Sequence, residues 1–253
     1  MSGVVRDCEQ VPERRAGNDS AAVRDVIDAR DGCELFTLRT VRAVVGHSIA
    51  RETGAAEELL FVVSGHATLV TSDGEYRVEP ETGVHLRPGE RYEIVNAGPG
   101  DVYVVSVALH EPQGGPRVTT ALSRLADQAA QSATADRHFR IVFDAENGCQ
   151  SATQFVGYIP VGAAPPHYHL YDEVIYVLEG DGVMHMNDAR TPLRSGWCIH
   201  LPARRLHTLE NRGPGMMRVL GVFRPAGSPA AAFYPDGTPA YTADEPQTES
   251  VST

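Results

Sequence analysis

The sequence predicts an all-β fold made of two copies of one unit, and three observations support this prediction. Short apolar runs rich in β-branched residues recur about every ten residues, which is typical of strands in a sandwich or barrel. Glycine and proline account for 24 and 17 of the 253 residues, which favours a turn-rich chain. The runs of the first half also reappear in the second half at a nearly constant distance along the chain.

The internal repeat is defined by residue types as well as by spacing. Three pairs of landmarks share nearly the same offset: Glu58 to Gly65 with Glu173 to Gly180 (115), Asn96 with Asn211 (115), and Gly83 with Gly196 (113). A stable offset across three landmarks indicates two copies of one β-rich unit.

Changes in composition divide the chain into five parts. The predicted parts are an N-terminal arm (1–33), a first β-rich unit (34–112), a linker (113–137), a second β-rich unit (138–225) and a C-terminal tail (226–253). The arm carries a weak helical pattern at residues 21–29, and the Ala- and Leu-rich spacing at 119–132 predicts a short connecting helix. The end of the tail is expected to be disordered, while Phe233, Tyr234 and Tyr241 are expected to hold its first part against the body.

Charge and cysteine content exclude several classes of function. The net charge of −11 argues against binding to nucleic acid or to an anionic membrane. All 22 basic residues are arginine, so lysine-based chemistry is excluded. The four cysteines form no CxxC pair, and no apolar run resembles a signal peptide or a membrane span. We therefore expect a cytoplasmic protein with reduced thiols.

A set of possible metal ligands lies in the second unit. Because side chains at i and i+2 point to the same face of a strand, His167 and His169 can present two imidazoles to one point. Glu173 has the same parity, and His207 lies on a later strand that can pair beside the first. Three imidazoles and one carboxylate suit Fe(II), Mn(II), Ni(II), Co(II), Cu(II) or Zn(II). Such a set leaves one or two coordination positions open for substrate or water.

These segments resemble the two sequence motifs of the cupin superfamily. The residues that match the first motif are Gly162, His167, His169, Glu173 and Gly180, and those that match the second are Gly196, Pro202, His207 and Asn211. The resemblance covers residues 34–112 and 138–225. It implies a bicupin, that is, two tandem double-stranded β-helix (jelly-roll) barrels, here joined by the short helical linker. It also implies one divalent metal per chain, with iron(II) as the expected ion.

The first unit departs from the metal-binding pattern. The positions of the paired histidines fall on Glu52 and Gly54, and that of the late histidine falls on Tyr92. Only Glu58 is kept, so we expect no metal in the first barrel. Three histidines of this unit lie outside the ligand positions and are interpreted as surface or hydrogen-bonded residues: His47, His66 and His85.

Further residues of the second unit are weaker candidates. Glu173 and His200 are candidate catalytic acid/base groups, although the position of His200 favours a structural histidine. The candidate substrate-binding residues are Gln154, Tyr158, Tyr171 and Arg218. Aromatic packing and ordinary solvation are the alternatives for these four.

The resemblance supports three hypotheses about function. The first is an iron-dependent dioxygenase acting on a small organic metabolite, similar to quercetinase-like and acireductone-type enzymes. The second is a non-redox lyase, isomerase or C–N hydrolase, as in ureidoglycine aminohydrolase-like bicupins, although their Glu-x-His pattern differs from the one here. The third is a protein that binds a metal or small molecule without turnover. Expected partners are a small-molecule substrate and, for the dioxygenase, dioxygen, with no nucleic acid and no membrane; a monomer and a homodimer both remain open.

Overall fold

The computed structural model describes residues 3–112, 122–133, 136–186 and 188–240, and these are almost entirely β-strands and loops. The strands of the first half are β1 (Val4–Asp7), β2 (Ala21–Ile27), β3 (Phe36–Ala43), β4 (Gly46–His47), β5 (Arg51–Glu52), β6 (Glu57–Ser64), β7 (Ala67–Thr71), β8 (Gly74–Val78), β9 (Thr82–Leu86), β10 (Arg91–Asn96) and β11 (Val102–Leu109). Those of the second half are β12 (Leu122–Arg124), β13 (Gln131–Ser132), β14 (His138–Phe143), β15 (Thr153–Ile159), β16 (Gly162–Ala163), β17 (Asp172–Glu179), β18 (Gly182–Met186), β19 (Ala189–Leu193), β20 (Trp197–Leu201), β21 (His207–Asn211) and β22 (Met217–Arg224). The predicted all-β class is confirmed.

Each barrel consists of a larger and a smaller sheet. The sheets of the first barrel have the orders β12-β9-β6-β11-β3-β2 and β4-β10-β7-β8, with β5 also paired to β10. Those of the second barrel have the orders β1-β20-β17-β22-β15-β14-β13 and β16-β21-β18-β19. Helical structure in the described residues is limited to three 3-10 turns, at Cys8–Gln10, Ala29–Asp31 and Leu125–Asp127. No helix in these parts of the chain could cross a membrane.

Strand register reproduces the repeat found in the sequence. In the first barrel β11 lies between β6 and β3, with Ser106 opposite Leu60. In the second barrel β22 lies between β17 and β15, with Gly221 opposite Ile175. Both pairs differ by the same 115 residues, so corresponding positions of the two barrels can be compared directly.

The two barrels exchange edge strands. β1 precedes the first barrel in sequence but pairs with β20 of the second barrel. Conversely, β12 lies within the segment predicted as the linker but pairs with β9 of the first barrel. Near β1, the sulfur atoms of Cys8 and Cys198 lie 3.0 Å apart in the core. Each exchange covers a sheet edge that would otherwise expose unpaired backbone groups.

The largest core cluster lies between the two larger sheets. Its buried aromatic residues are Phe36 and Phe61 from the first barrel and Phe143 from the second. Separate clusters fill the interior of each barrel, around Leu69 and Tyr92 in the first and around Met184 in the second. Because the interface is as buried as a domain core, the barrels form a single packed body.

The connecting helix predicted for residues 119–132 is not formed in the part that the structure describes. Residues 122–132 instead form β12, a 3-10 turn and β13. The free edge of β9 provides hydrogen bonds for β12, and Leu125 is buried between the barrels, so tertiary contacts override the helical spacing. The weak helical pattern at 21–29 likewise gives way to β2, which pairs with β3. The predicted disorder at the end of the tail, and Tyr241, lie outside the described residues.

Asn211 provides a test of how the second barrel is held together. Its buried side-chain amide donates to the carbonyl oxygens of Ile159 and Gly215 and accepts from the backbone of Gly213, at 2.7–2.9 Å. Replacing Asn211 with alanine leaves these groups without partners, so we expect the free energy of unfolding to fall by about 2 kcal/mol. Urea denaturation measures the change, and exposed Arg190→Ala in the same sheet is the control. An Asn211→Ala protein as stable as this control would contradict the analysis.

Candidate metal centre

Three histidines converge inside the second barrel because two short chain segments pair there. The backbone N–H groups of His167 and His207 donate to each other's carbonyl oxygens, at 3.0 and 2.9 Å. His169 lies two residues further on, so its side chain returns to the same face. The ring centroids of the three imidazoles are 4.5–5.2 Å apart. One ligand nitrogen from each lies within 4.8 Å of the other two, as a metal-binding set requires.

Backbone carbonyl groups fix the tautomer of all three imidazoles. The Nδ1 atoms of His167, His169 and His207 lie 2.8–2.9 Å from the carbonyl oxygens of Pro165, Ala231 and Arg205. Because a carbonyl oxygen only accepts, each Nδ1 must carry the proton and donate it. Each Nε2 is therefore left with a free lone pair, the form in which histidine binds a metal.

Burial keeps these imidazoles neutral. Desolvation lowers the pKa of His169 to about 4 and places the pKa values of His167 and His207 below the ordinary value for histidine. The positive charge of Arg137 lowers all three further. At neutral pH the three Nε2 atoms therefore carry lone pairs rather than protons. A divalent cation can bind them without displacing a proton.

Glu173 lines the same cavity from β17. Burial raises the pKa of its carboxyl group to about 8, with no neighbouring charge to oppose the effect. Space for the carboxylate depends on Gly221 of β22, because a Cβ atom at that position would lie 2.8 Å from Glu173 Oε1. The carboxylate and the three imidazoles line one cavity, but only the three imidazoles have ligand atoms within 4.8 Å of one another.

The cavity beside the histidines is small and largely apolar. It measures about 100 Å³, below the range of pockets for drug-sized ligands. Its apolar lining includes Phe139, Phe155, Ile175, Met184, Leu209 and Val219. Tyr171 also lines it and stacks on the ring of His169, with centroids 4.5 Å apart. A cavity of this kind has room only for a small molecule with an apolar portion.

The first part of the C-terminal tail closes one side of the cavity. Tyr168 and Phe233 exchange backbone hydrogen bonds of 2.9 Å, and their rings are stacked. This pairing places the carbonyl group of Ala231 at His169 Nδ1, and that of Pro229 at the hydroxyl of Tyr171. The predicted anchoring role of Phe233 is therefore seen, but the contribution of the tail to the site was not predicted.

Three sequence candidates lie away from the cavity. Gln154 is fully buried against Gly83 at the barrel interface. His200 lies opposite Val174 of the inter-barrel core, with Nε2 3.8 Å from Asp172. The guanidinium of Arg218 pairs with Glu81 of the first barrel. All three side chains point away from the face that Glu173 occupies, because neighbouring strand positions alternate between faces.

The remaining candidate, Tyr158, lies at the border of the cavity. Its ring stacks on that of His138, with centroids 4.5 Å apart, and the guanidinium carbon of Arg218 lies 5.5 Å from its centre. These contacts hold the ring against the outer part of the sheet rather than beside the imidazoles.

Arg137 is a cavity residue that the sequence did not reveal. It precedes β14, and its guanidinium donates to the carbonyl oxygen of Leu209 at 2.5 Å. Burial lowers its pKa to about 10, so it stays charged at neutral pH. Among the described residues that line the cavity it is the only arginine, and Glu173 is the only acid. In the sequence, Arg137 is simply the first residue of an Arg-His-Phe-Arg segment at the start of a strand. Nothing in this segment indicated that its side chain enters the cavity.

The corresponding position of the first barrel holds a hydrogen-bonded carboxylate. Glu58 Oε1 accepts from the hydroxyl of Tyr92 at 3.1 Å and from that of Ser106. Tyr92 occupies the place of His207, and Ser106 that of Gly221. In the first barrel, the hydroxyl group of Tyr92 therefore replaces the imidazole of His207. The hydroxyl group of Ser106 lies where Gly221 has no side chain.

Comparison with known proteins supports the cupin assignment. A family model described as a cupin domain matches residues 154–223. A Pseudomonas aeruginosa protein described as glyoxylate-induced superposes with a TM-score of 0.73 at 18% identity, covering 89% of each chain. The oxalate decarboxylase of Lactobacillus farciminis gives 0.72 at 13%, covering 88% of this chain and 86% of that one. Bacillus subtilis oxalate decarboxylase, described with Mn(II) centres, gives 0.71 at 14%, covering 90% and 78%. A search of curated sequences gave no significant match.

Fold, repeat and domain match agree on the class of fold. Residues 154–223 match a cupin domain, the chain shares the fold of the solved structures, and the candidate metal-binding motif lies in its second barrel. At identities of 13–18%, the solved structures establish the shared fold and not a shared reaction.

Metal binding should depend on His207. We expect wild-type protein to bind about one equivalent of Mn(II), and a metal concentration about 100-fold above Kd should stabilise it by about 2.7 kcal/mol. His207→Ala should lose both effects, because one lone pair is removed. Mn(II) binding by electron paramagnetic resonance and thermal unfolding measure them. His185→Ala is the control, since His185 pairs with Glu210 outside the cavity. Undiminished binding by His207→Ala would refute the site.

The space beside Glu173 can be tested by filling it. A Cβ atom at Gly221 would lie 2.4 Å from the ring of Phe155 as well as 2.8 Å from the carboxylate. We expect Gly221→Ala to weaken Mn(II) binding at least about tenfold, as changes around metal ligands commonly do. Gly215→Ala is the matched control, because a Cβ there meets open space. Equal affinities of the two variants would show that Glu173 does not need this clearance.

Proposed function

We propose that this protein is a metal-dependent cupin enzyme that acts on a small organic carboxylate. His167, His169, His207 and Glu173 would hold one divalent cation. The observation that carries the proposal is the set of three buried, neutral imidazoles whose tautomers leave every Nε2 free. A catalytic metal site needs ligands that are free to bind the cation. It also needs a neighbouring cavity from which a substrate can reach an open coordination position.

Charge balance in the cavity supports a carboxylate as the substrate group. A divalent cation together with Arg137 would bring three positive charges, and Glu173 would supply one negative charge. The described lining residues include no further acid, so an anionic group on the substrate would reduce the remaining positive charge. A guanidinium binds a carboxylate through paired, charge-assisted hydrogen bonds, and the apolar wall would accommodate the rest of the molecule.

The side chains have separable tasks in this proposal. Arg137 would orient the carboxylate, while Phe155, Tyr171 and the tail would keep water out of the cavity. Glu173 has a pKa of about 8 in the metal-free cavity, so it would release its proton when the cation binds and would then act as a carboxylate ligand. The bound metal would supply Lewis acidity toward substrate oxygen atoms and, in the case of iron, activation of dioxygen.

The proposed reaction is an iron(II)-dependent dioxygenation. The apolar lining supports it, because an apolar, water-poor cavity suits dioxygen and protects a reactive centre from solvent. A second candidate is a non-redox lyase, isomerase or hydrolase reaction with manganese, zinc or another divalent ion, which the presence of both Arg137 and Glu173 in the cavity lining favours. Within this proposal the protein acts in the cytoplasm.

Oxygen consumption separates the two reactions. Protein loaded anaerobically with Fe(II), Mn(II) or Zn(II) would be given a panel of small aliphatic and aromatic carboxylic acids in an oxygen electrode with product analysis. Dioxygenation predicts uptake that needs both iron and one substrate. Product formation without uptake would select the second candidate, and no turnover with any acid or metal would contradict both.

Arg137 should determine affinity for the carboxylate. Arg137→Gln keeps a hydrogen-bond donor but removes the charge, so we expect binding of the active acid to weaken about 10- to 100-fold, corresponding to the loss of a charged hydrogen bond. The Mn(II) affinity should stay unchanged or rise. Calorimetry with Zn(II)-loaded protein measures acid binding, with exposed Arg190→Gln as control. If Arg137→Gln binds the acid as tightly as wild-type protein, the proposal that the substrate is a carboxylate would be contradicted.

A further inference from the structure

A second cluster of possible metal ligands lies between the barrels, outside the cavity of the second one. Glu57 of β6 and His85 of β9 come from the first barrel, and Cys149 comes from the loop after β14 of the second. One ligand atom from each lies within 4.8 Å of the other two. Nε2 of His85 is 3.7 Å from Glu57 Oε1, and Sγ of Cys149 is 3.9 Å from Glu57 Oε2.

The imidazole of His85 points into this cluster without a hydrogen-bond partner. His85 is only 8% exposed, and its Nε2 atom is buried and makes no hydrogen bond with any described residue. On the other side its ring is close to that of Phe143. An unpaired buried nitrogen is costly, so its presence calls for a ligand that the protein chain itself does not supply.

The other two groups complement the imidazole. Cys149 is fully buried, and burial together with the charge of Glu57 raises the pKa of its thiol to about 12. Burial raises the pKa of Glu57, but the nearby imidazole of His85 and the side chain of Ser151 together lower it below its ordinary value, so Glu57 is ionised. The cluster therefore offers a carboxylate, an imidazole and a sulfur atom that becomes a strong ligand only when a cation displaces its proton.

The spacing suits a tetrahedral ion. Bond lengths of about 2.0 Å to nitrogen or oxygen and about 2.3 Å to sulfur place tetrahedral ligand atoms roughly 3.3–3.6 Å apart. Here His85 Nε2 lies 3.7 Å from one oxygen of Glu57 and Cys149 Sγ lies 3.9 Å from the other, and the three groups, within 4.8 Å of one another, would move closer together around an ion. A mixed nitrogen, oxygen and sulfur set favours zinc over manganese, since manganese prefers oxygen ligands. We propose that Glu57, His85 and Cys149 bind one zinc ion that links the two barrels, with a fourth position left for water.

This site differs from the centre of the second barrel in chemistry and in role. The thiolate of Cys149 and the carboxylate of Glu57 neutralise the two charges of the ion, and the displaced thiol proton passes to solvent. Because the ligands come from both barrels, the ion would strengthen their interface. The proposal does not depend on the reaction carried out in the second barrel.

Cobalt(II) provides a direct test, because a thiolate ligand gives it a near-ultraviolet charge-transfer band that the histidine cluster alone cannot produce. The test protein is the full chain with His167→Ala and His207→Ala, which silences the other centre. We expect it to retain about one equivalent of zinc or cobalt and to show the band. Adding Cys149→Ser should abolish the band and reduce binding by one equivalent, whereas adding Cys33→Ser should change neither.

A second variant covers the case in which Cys149→Ser folds poorly. His85→Gln, in the same silenced background, should lose one zinc equivalent while the thermal midpoint of the metal-free protein remains close to that of its parent. Three results would overturn the proposal: no metal in the silenced protein, a charge-transfer band that survives Cys149→Ser, or a band that disappears only with Cys198→Ser. The last result would assign the thiolate to the Cys8 and Cys198 pair.

Discussion

Three backbone carbonyl groups hold the imidazoles of His167, His169 and His207 in a single tautomer, and the proposed chemistry depends on this constraint. Two of the carbonyls belong to residues just before the histidines they contact, so the local chain path fixes them. The third, that of Ala231, comes from the tail, so the orientation of His169 depends on the docked tail. Because every Nδ1 of the three imidazoles donates a hydrogen bond, their Nε2 atoms remain as free basic nitrogens at the cavity. Burial then removes the competing protons, because it favours the neutral imidazole.

The two barrels show how few substitutions separate a metal centre from a packed carboxylate. Glu58 and Glu173 occupy corresponding positions on corresponding strands. In the second barrel Gly221 leaves room beside the carboxylate, whereas in the first the hydroxyls of Ser106 and Tyr92 bond to it. A carboxylate whose lone pairs are already engaged by two donors has less capacity to bind a cation. The first barrel nevertheless supports the second, since one side of the largest core cluster comes from its larger sheet.

The sequence predicted most of the fold and the centre of the site, because both depend on local periodicity. Glu58 and Glu173, which are 115 residues apart, lie at corresponding positions of the two barrels, and the two histidines of the His-x-His segment lie side by side. Features that depend on distant contacts were not predictable: β12 pairs with β9 instead of continuing as a helix, and Arg137 enters the cavity from the linker. The facing of Gln154 and His200 required the strand register, because a shift of one residue exchanges the two faces of a strand.

Anomalous diffraction from crystals grown with Mn(II) tests the central claim most directly. The account predicts one strong manganese peak in each chain, about 2.0–2.3 Å from the Nε2 atoms of His167, His169 and His207 and near the carboxylate of Glu173. It predicts no peak beside Glu58, whose oxygen accepts from Tyr92 and Ser106. A peak in the first barrel, or imidazoles that bind the ion through Nδ1, would contradict the proposed division of roles between the barrels.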